Sequence, residues 1–226
     1  MKAWPTYVHR FSKTERTVHW VNALGFFFLL VTGLILYLPA LSVAVGNRQT
    51  VQEIHFWGGV GWVASLLIVA VLGDSRGLLR TARELDVFAP EDVNWLKRRR
   101  PNEQPRFNAG QKLNGILTIA ATVGFIVTGI IVWRPPYIAP HLPSWLFSDT
   151  ISNNAVFLHQ ILTIVSIPLV LGHIYLAALA RATRPALSAI LDGTVPLSYA
   201  REHHAKWAAE LEGVPVDHAP AAPARG

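Results

Sequence analysis

The sequence predicts an all-α integral membrane protein: a four-helix bundle of spanning helices, with further helices in a cytoplasmic loop and tail. Three observations carry this reading. Of 226 residues, 51% are hydrophobic and only 15% charged, a balance that suits lipid as the solvent. Four apolar runs are each long enough to cross a bilayer as helix. Lys and Arg segregate between alternate connections, so that of 20 such residues only Arg48 and Arg134 fall in two of the loops.

The first run covers about 18–38. It is preceded by Ser12-Lys13-Thr14-Glu15, which fits a helix-starting capping box, and it meets Pro39 at its end. The second covers 55–72 between Glu53 and Asp74, the third 113–133 before Arg134-Pro135-Pro136, and the fourth 155–180. Residues 1–212 are thus expected to form one four-span domain. Residues 213–226, rich in Ala and Pro without an apolar period, are expected to be a mobile tail. Nothing at the N-terminus reads as a cleaved signal peptide, so the first span is expected to stay in the mature protein.

Positive charge gathers before the first span, in the long loop from Arg76 to Lys112, and after the fourth span from Arg181 onward. By the positive-inside rule both termini and that loop face the cytoplasm, and the 39–54 and 134–154 loops face the other side. The expected location is the bacterial inner membrane, as a multi-pass protein. The run Arg98-Arg99-Arg100 reads as a topology determinant at the lipid headgroups, and nothing beside it suggests nucleic acid. The chain has no cysteine, which excludes disulfides, covalent haem attachment through Cys-x-x-Cys-His, and any cysteine-ligated iron-sulfur cluster.

Four of the nine histidines, His19, His55, His159 and His173, lie in or at the ends of the apolar runs. A polar ring is costly there and marks function by default. On the expected topology they form two depth layers, His19 with His173 on the cytoplasmic side and His55 with His159 on the outer side. His159 and His173 are fourteen residues apart, which advances ~21 Å along a helix and returns to within roughly 40° of the same face. One helix can therefore serve two stacked sites. A low-spin b haem needs two axial imidazoles on opposite faces of its iron, and each layer supplies two. An interhelical hydrogen bond would account for any one of these histidines, but four in matched layers fit two b haems better.

Gly58 and Gly59 after His55, and Gly172 before His173, leave room beside the ligands for a flat macrocycle. A local echo joins the first and third runs, Val31-Thr32-Gly33-Leu34-Ile35 against Val127-Thr128-Gly129-Ile130-Ile131. Its small residues allow close approach of a helix or a macrocycle. His9, His141, His203, His204 and His218 sit among polar or Pro-rich neighbours and are expected to be solvated.

Haem iron with two histidine ligands has no open position, so the chain is expected to carry electrons, with no substrate-oxidising site of its own. One terminal should be a quinone. The candidate pocket is Asn108-Ala109-Gly110-Gln111-Lys112 at the mouth of the third span, with a helix cap as the alternative reading of the same run.

The segments Arg10-Phe11, Glu15-Arg16-x-x-His19-Trp20, Thr32-Gly33-Leu34, Arg106-Phe107-Asn108-Ala109-Gly110-Gln111-Lys112, Leu158-His159, His173-Ile174-Tyr175 and Ala200-Arg201-Glu202-His203-His204-x-x-Trp207 together carry a family likeness. The chain resembles the cytochrome b (gamma) subunit of membrane-bound formate dehydrogenases, over about residues 10–211. The resemblance implies a dihaem subunit with the inner haem b on His19 and His173 and the outer haem b on His55 and His159. It implies menaquinone reduction near the inner haem, with contacts from Asn108, Gly110 and His173; ubiquinone is the other acceptor considered. It implies a ferredoxin-like iron-sulfur (beta) subunit as donor, a molybdenum or tungsten pterin (alpha) subunit that oxidises formate, and a higher oligomer of the complex.

On this reading the chain is the electron-transfer subunit of a formate:quinone oxidoreductase. Other possibilities stay open at this point: the same kind of subunit serving a nickel-iron hydrogenase or another dehydrogenase, a haem-free transporter or assembly protein whose histidines relay protons or bind metal, and a free-standing transmembrane reductase.

Overall fold

The computed structural model describes residues 6–134 and 139–213. The expected mobile tail from residue 214 onward lies outside them, as do Pro135 and Pro136 after the third run. Among the described residues the chain forms four long helices, α1 (Lys13–Tyr37), α3 (Arg48–Leu72), α6 (Ala109–Trp133) and α7 (Asp149–Ile174). Between and after them come shorter ones: α2 (Pro39–Val45), α4 (Ser75–Asp86), α5 (Pro90–Leu96), α8 (Leu187–Leu191), α9 (Leu197–His203) and α10 (Ala205–Glu212). A π-helical turn, Tyr175–Leu179, prolongs α7, so the fourth span runs Asp149–Leu179. All four are long and apolar enough to cross a membrane.

Each long helix begins a turn or two before the apolar run that announces it, and polar residues cap three of them, α1, α3 and α6. At α1 the Glu15 amide donates to Ser12 Oγ at 3.2 Å and the Ser12 amide to Glu15 Oε2 at 2.7 Å, the reciprocal capping box. At α3 the Asn47 side chain accepts from the Thr50 amide at 3.0 Å. At α6 Asn108 and Gln111 repeat the reciprocal pattern, each amide N–H bonded to the other's side-chain oxygen at 3.1 and 3.0 Å. Pro168 interrupts α7, removing one backbone donor between His159 and His173.

The structure divides into two units, residues 17–73 with 118–170, and residues 1–16 with 74–117 and 171–226. The first is a helical bundle whose contacts rely on glycine. A Cβ on Gly25 of α1 would strike the Trp62 indole of α3, and one on Gly58 of α3 would strike the Phe28 ring of α1. Gly58 therefore serves helix packing. A Cβ on Gly124 of α6 would lie 2.8 Å from Leu162 of α7. Phe56 of α3 stacks on Trp133 of α6 with ring centres 3.3 Å apart. Outward-facing apolar side chains such as Leu24, Leu67 and Phe157 are largely exposed, as lipid requires of a spanning surface.

The second unit contains an antiparallel ribbon, β1 (Tyr7–His9) with β2 (Thr194–Pro196), in which Val8 faces Val195. Its core gathers Val195, Tyr199, Ala200, Trp207 and Ala208 with Val8 and Phe11. Two Arg-Phe dipeptides interlock here. Arg10 donates to the Arg106 carbonyl at 2.6 Å, and the Phe11 and Phe107 rings lie 5.9 Å apart. The Arg106 guanidinium sits over both rings, 4.7 Å from the Phe107 centre. It also pairs with Glu15 and, at 3.3 Å, with Glu84.

Candidate functional site

Within the helical unit, His55 of α3 and His159 of α7 approach each other with ring centres 6.3 Å apart and planes at 71°. Each imidazole is tethered by a threonine of a neighbouring helix. Thr32 Oγ1 of α1 lies 2.8 Å from His55 Nδ1, and Thr128 Oγ1 of α6 lies 2.7 Å from His159 Nδ1. Both hydroxyls also reach a carbonyl one turn back on their own helix, Phe28 at 3.0 Å and Gly124 at 2.6 Å. With its proton committed to that carbonyl, each hydroxyl accepts from the imidazole. Each ring thereby donates through Nδ1, which leaves Nε2 as the nitrogen for a metal.

That arrangement suits a haem iron. With a metal–nitrogen bond of about 2 Å and a ring centre roughly 1 Å behind its nitrogen, two axial imidazoles place their centres about 6 Å apart. Axial ligation requires a neutral ring, and a hydrogen-bonded Nδ1–H is the usual outer partner of a ligating histidine. Gly33 and Gly129 stand beside the rings: a Cβ there would come within 3.4 Å of His55 Cε1 and 3.9 Å of His159 Cε1.

His19 lies in α1, its ring edge-on to Trp20 at 5.3 Å. His173 is the penultimate residue of α7, fourteen residues beyond His159 on the same helix. The two fall in different units.

The run Asn108–Lys112 folds as a cap and a buried ion pair. Gln111 Oε1 accepts from the Asn108 amide and, at 3.4 Å, from Arg10. A Cβ on Gly110 would press on Trp95 at 2.9 Å. Lys112 Nζ donates to Asp92 Oδ2 at 2.7 Å and to the Val87 carbonyl at 2.8 Å, with both ionic side chains almost fully buried. The helix-cap reading of Asn108 and Gln111 is thus what the geometry displays. Any ligand chemistry of this run would be added to that role.

His204 corrects an expectation. It was to be solvated, yet it is fully buried. Its Nδ1 lies 2.7 Å from the Pro105 carbonyl and its Nε2 3.3 Å from Arg10. Burial and the Arg10 charge hold it well below the usual histidine range. Arg10, itself buried, is lowered to about 10, chiefly by desolvation. His203 also departs from the expectation, stacking on Tyr199 at 4.3 Å. His9 and His141 are exposed; His218 lies outside the described residues. Sequence reasoning missed the roles of Thr32 and Thr128, although the Val-Thr-Gly echo was their signal.

The profile of the prokaryotic cytochrome b561 family matches residues 10–193. The chain is 30% identical over 212 residues to the formate dehydrogenase cytochrome b556(fdo) subunit of Escherichia coli, covering 89% of this chain and 92% of that one. It is 23% identical over 210 residues to the nitrate-inducible cytochrome b556(Fdn) subunit of the same organism, with 88% of each chain covered. It is 26% identical over 216 residues to the formate dehydrogenase cytochrome b556 subunit of Haemophilus influenzae, covering 89% and 82%. With four spanning helices and a profile match over most of its length, the chain belongs to the prokaryotic cytochrome b561 family and is a multi-pass membrane cytochrome b.

Proposed function

We propose that this chain is the membrane electron-transfer subunit of a formate dehydrogenase complex. It takes electrons from an iron-sulfur partner on the outer side and delivers them to quinone on the cytoplasmic side. The observation that carries the proposal is the His55–His159 pair, two imidazoles 6.3 Å apart with both Nδ1 atoms engaged. A haem b held by His55 and His159 would supply one-electron chemistry. The chain's own residues hold the ligands in one tautomer and enclose them among apolar helices. A second haem b on His19 and His173 is proposed from the depth layers of the sequence and the family resemblance, and the curated relatives' names supply formate dehydrogenase as the donor complex.

Asn108, Gly110, Gln111 and His173 are proposed to line the quinone site. Asn108 and Gln111 engage their side-chain oxygens in the α6 cap, which leaves their amide NH2 groups as the donors for a quinone carbonyl. Lys112, tied to Asp92, is held in a fixed position beside that run.

The test is a pyridine haemochrome assay with reduced-minus-oxidised spectra on the purified wild type, His55→Ala and His173→Ala. About two b haems per chain, with each variant losing a different one, is the expected result. A folded wild-type preparation without haem b would overturn the proposal.

A further inference from the structure

The two threonine tethers are the same device used twice. Each lies in a Val-Thr-Gly triplet, at Val31-Thr32-Gly33 on α1 and Val127-Thr128-Gly129 on α6. Each spends its own proton on a carbonyl of the preceding turn, Phe28 or Gly124, and accepts from the histidine of an adjacent helix. The glycine that follows leaves space at the ring's Cε1 edge, tightest at Gly33. A β-branched side chain in a helix has few rotamers, so the hydroxyl's direction is set by the backbone and the ring's direction by the hydroxyl.

We propose that Thr32 and Thr128 are positioning residues for the outer haem, fixing the tautomer and rotation of His55 and His159 and setting the electron donation of both axial ligands to the iron. This rests on the reading of those histidines as ligands. A neutral hydroxyl draws less on the Nδ1 proton than a carboxylate does, so the rings keep imidazole character with only modest added basicity. Because both ligands have the same kind of acceptor, removing either threonine hydroxyl shifts the same property in the same direction. Without the acceptor the ring donates less to the iron, the oxidised form loses stabilisation, and the midpoint potential rises.

The experiment uses the purified full-length protein in its complex, as wild type, Thr32→Val, Thr128→Val, Thr32→Ser and Thr128→Ser. Haem is quantified first, and the outer haem is identified as the one absent from His55→Ala. Redox titration and electron paramagnetic resonance of the oxidised protein follow. Each Val variant is expected to raise the outer haem's potential and move its low-spin signal, leaving the inner haem unchanged, while each Ser variant restores both. Loss of the outer haem from the Val variants with retention in the Ser variants would also support the role. Wild-type potential and signal in haem-loaded Val variants, or Ser variants that behave as the Val ones, would overturn it. A wild type with no haem at all would instead remove the ligand reading beneath it.

Discussion

At the scale of single residues, the buried pair Lys112–Asp92 makes the clearest energetic statement. Both side chains are withdrawn from solvent, 4% and 1% exposed, so each charge depends on the other for compensation. Removing one partner of such a pair costs about 3–5 kcal/mol, because the survivor stays buried and unpaired. Asp92→Ala should therefore lower the thermal midpoint of the purified protein sharply, whereas Arg80→Ala, which disturbs an exposed pair with Glu84 at 3.5 Å, should leave it nearly unchanged. His204 gives a pH-dependent prediction. Its folded pKa is depressed below the ordinary 6.5, so the unfolded chain binds the proton first. Its contribution to stability is fully present above about pH 6.5 and is lost as pH falls further, by up to about 1.4 kcal/mol per unit. Melting curves from pH 8 to 5 should show this slope, and His204→Gln should flatten it. That histidine illustrates the limit of reading residues in sequence. Its chain neighbours are polar, but the side chain is enclosed by Arg10 and Pro105, about a hundred or more positions away. His55 and His159, which the structure brings together, stood out in the sequence because the bilayer makes any polar ring there conspicuous.

At the scale of elements, the spans were legible because lipid demands a continuous apolar helix, and their beginnings were less so. The Ser12–Glu15 box was read directly, and the cap of Asn108 and Gln111 stood as the alternative to a quinone pocket on the same residues. The β1–β2 ribbon was not anticipated, since strands of three residues have no period to read and their pairing joins the two ends of the chain. Packing between spans depends on which glycines face a neighbour, which spacing alone does not reveal. Gly25 and Gly61 separate the two cases. A Cβ on Gly25 would collide with the buried Trp62 indole, while one on Gly61 would meet nothing within 4 Å. Gly25→Ala should push α1 away from α3, moving Thr32 relative to His55, and so reduce haem retained per chain and the temperature at which the Soret band is lost. Gly61→Ala should leave both unchanged or slightly improved, since Ala favours helix over Gly by up to about 1 kcal/mol.

At the scale of the whole molecule, the direction of electron flow depends on which way the bundle lies in the membrane. Lys and Arg cluster near the termini and in the loop that carries α4 and α5, while the connections holding α2 and the approach to α7 have only Arg48 and Arg134. On the proposed reading, the positive-inside rule would set both termini and the α4–α5 loop in the cytoplasm. An iron-sulfur partner would then dock on the opposite side, and quinone would take up its protons on the cytoplasmic one. Electrons entering outside and protons consumed inside would build a membrane potential. The absence of cysteine allows this orientation to be read directly. A single cysteine introduced as Val43→Cys lies on α2, where the native side chain is 79% exposed. One introduced as Glu103→Cys lies in the exposed basic loop. An impermeant maleimide added to intact spheroplasts should label Val43→Cys at once and Glu103→Cys only after the membrane is opened. The reverse pattern would invert the topology. The proposed donor would then have to sit in the cytoplasm, and quinone reduction at the Asn108 run would dissipate membrane potential where it was expected to generate it.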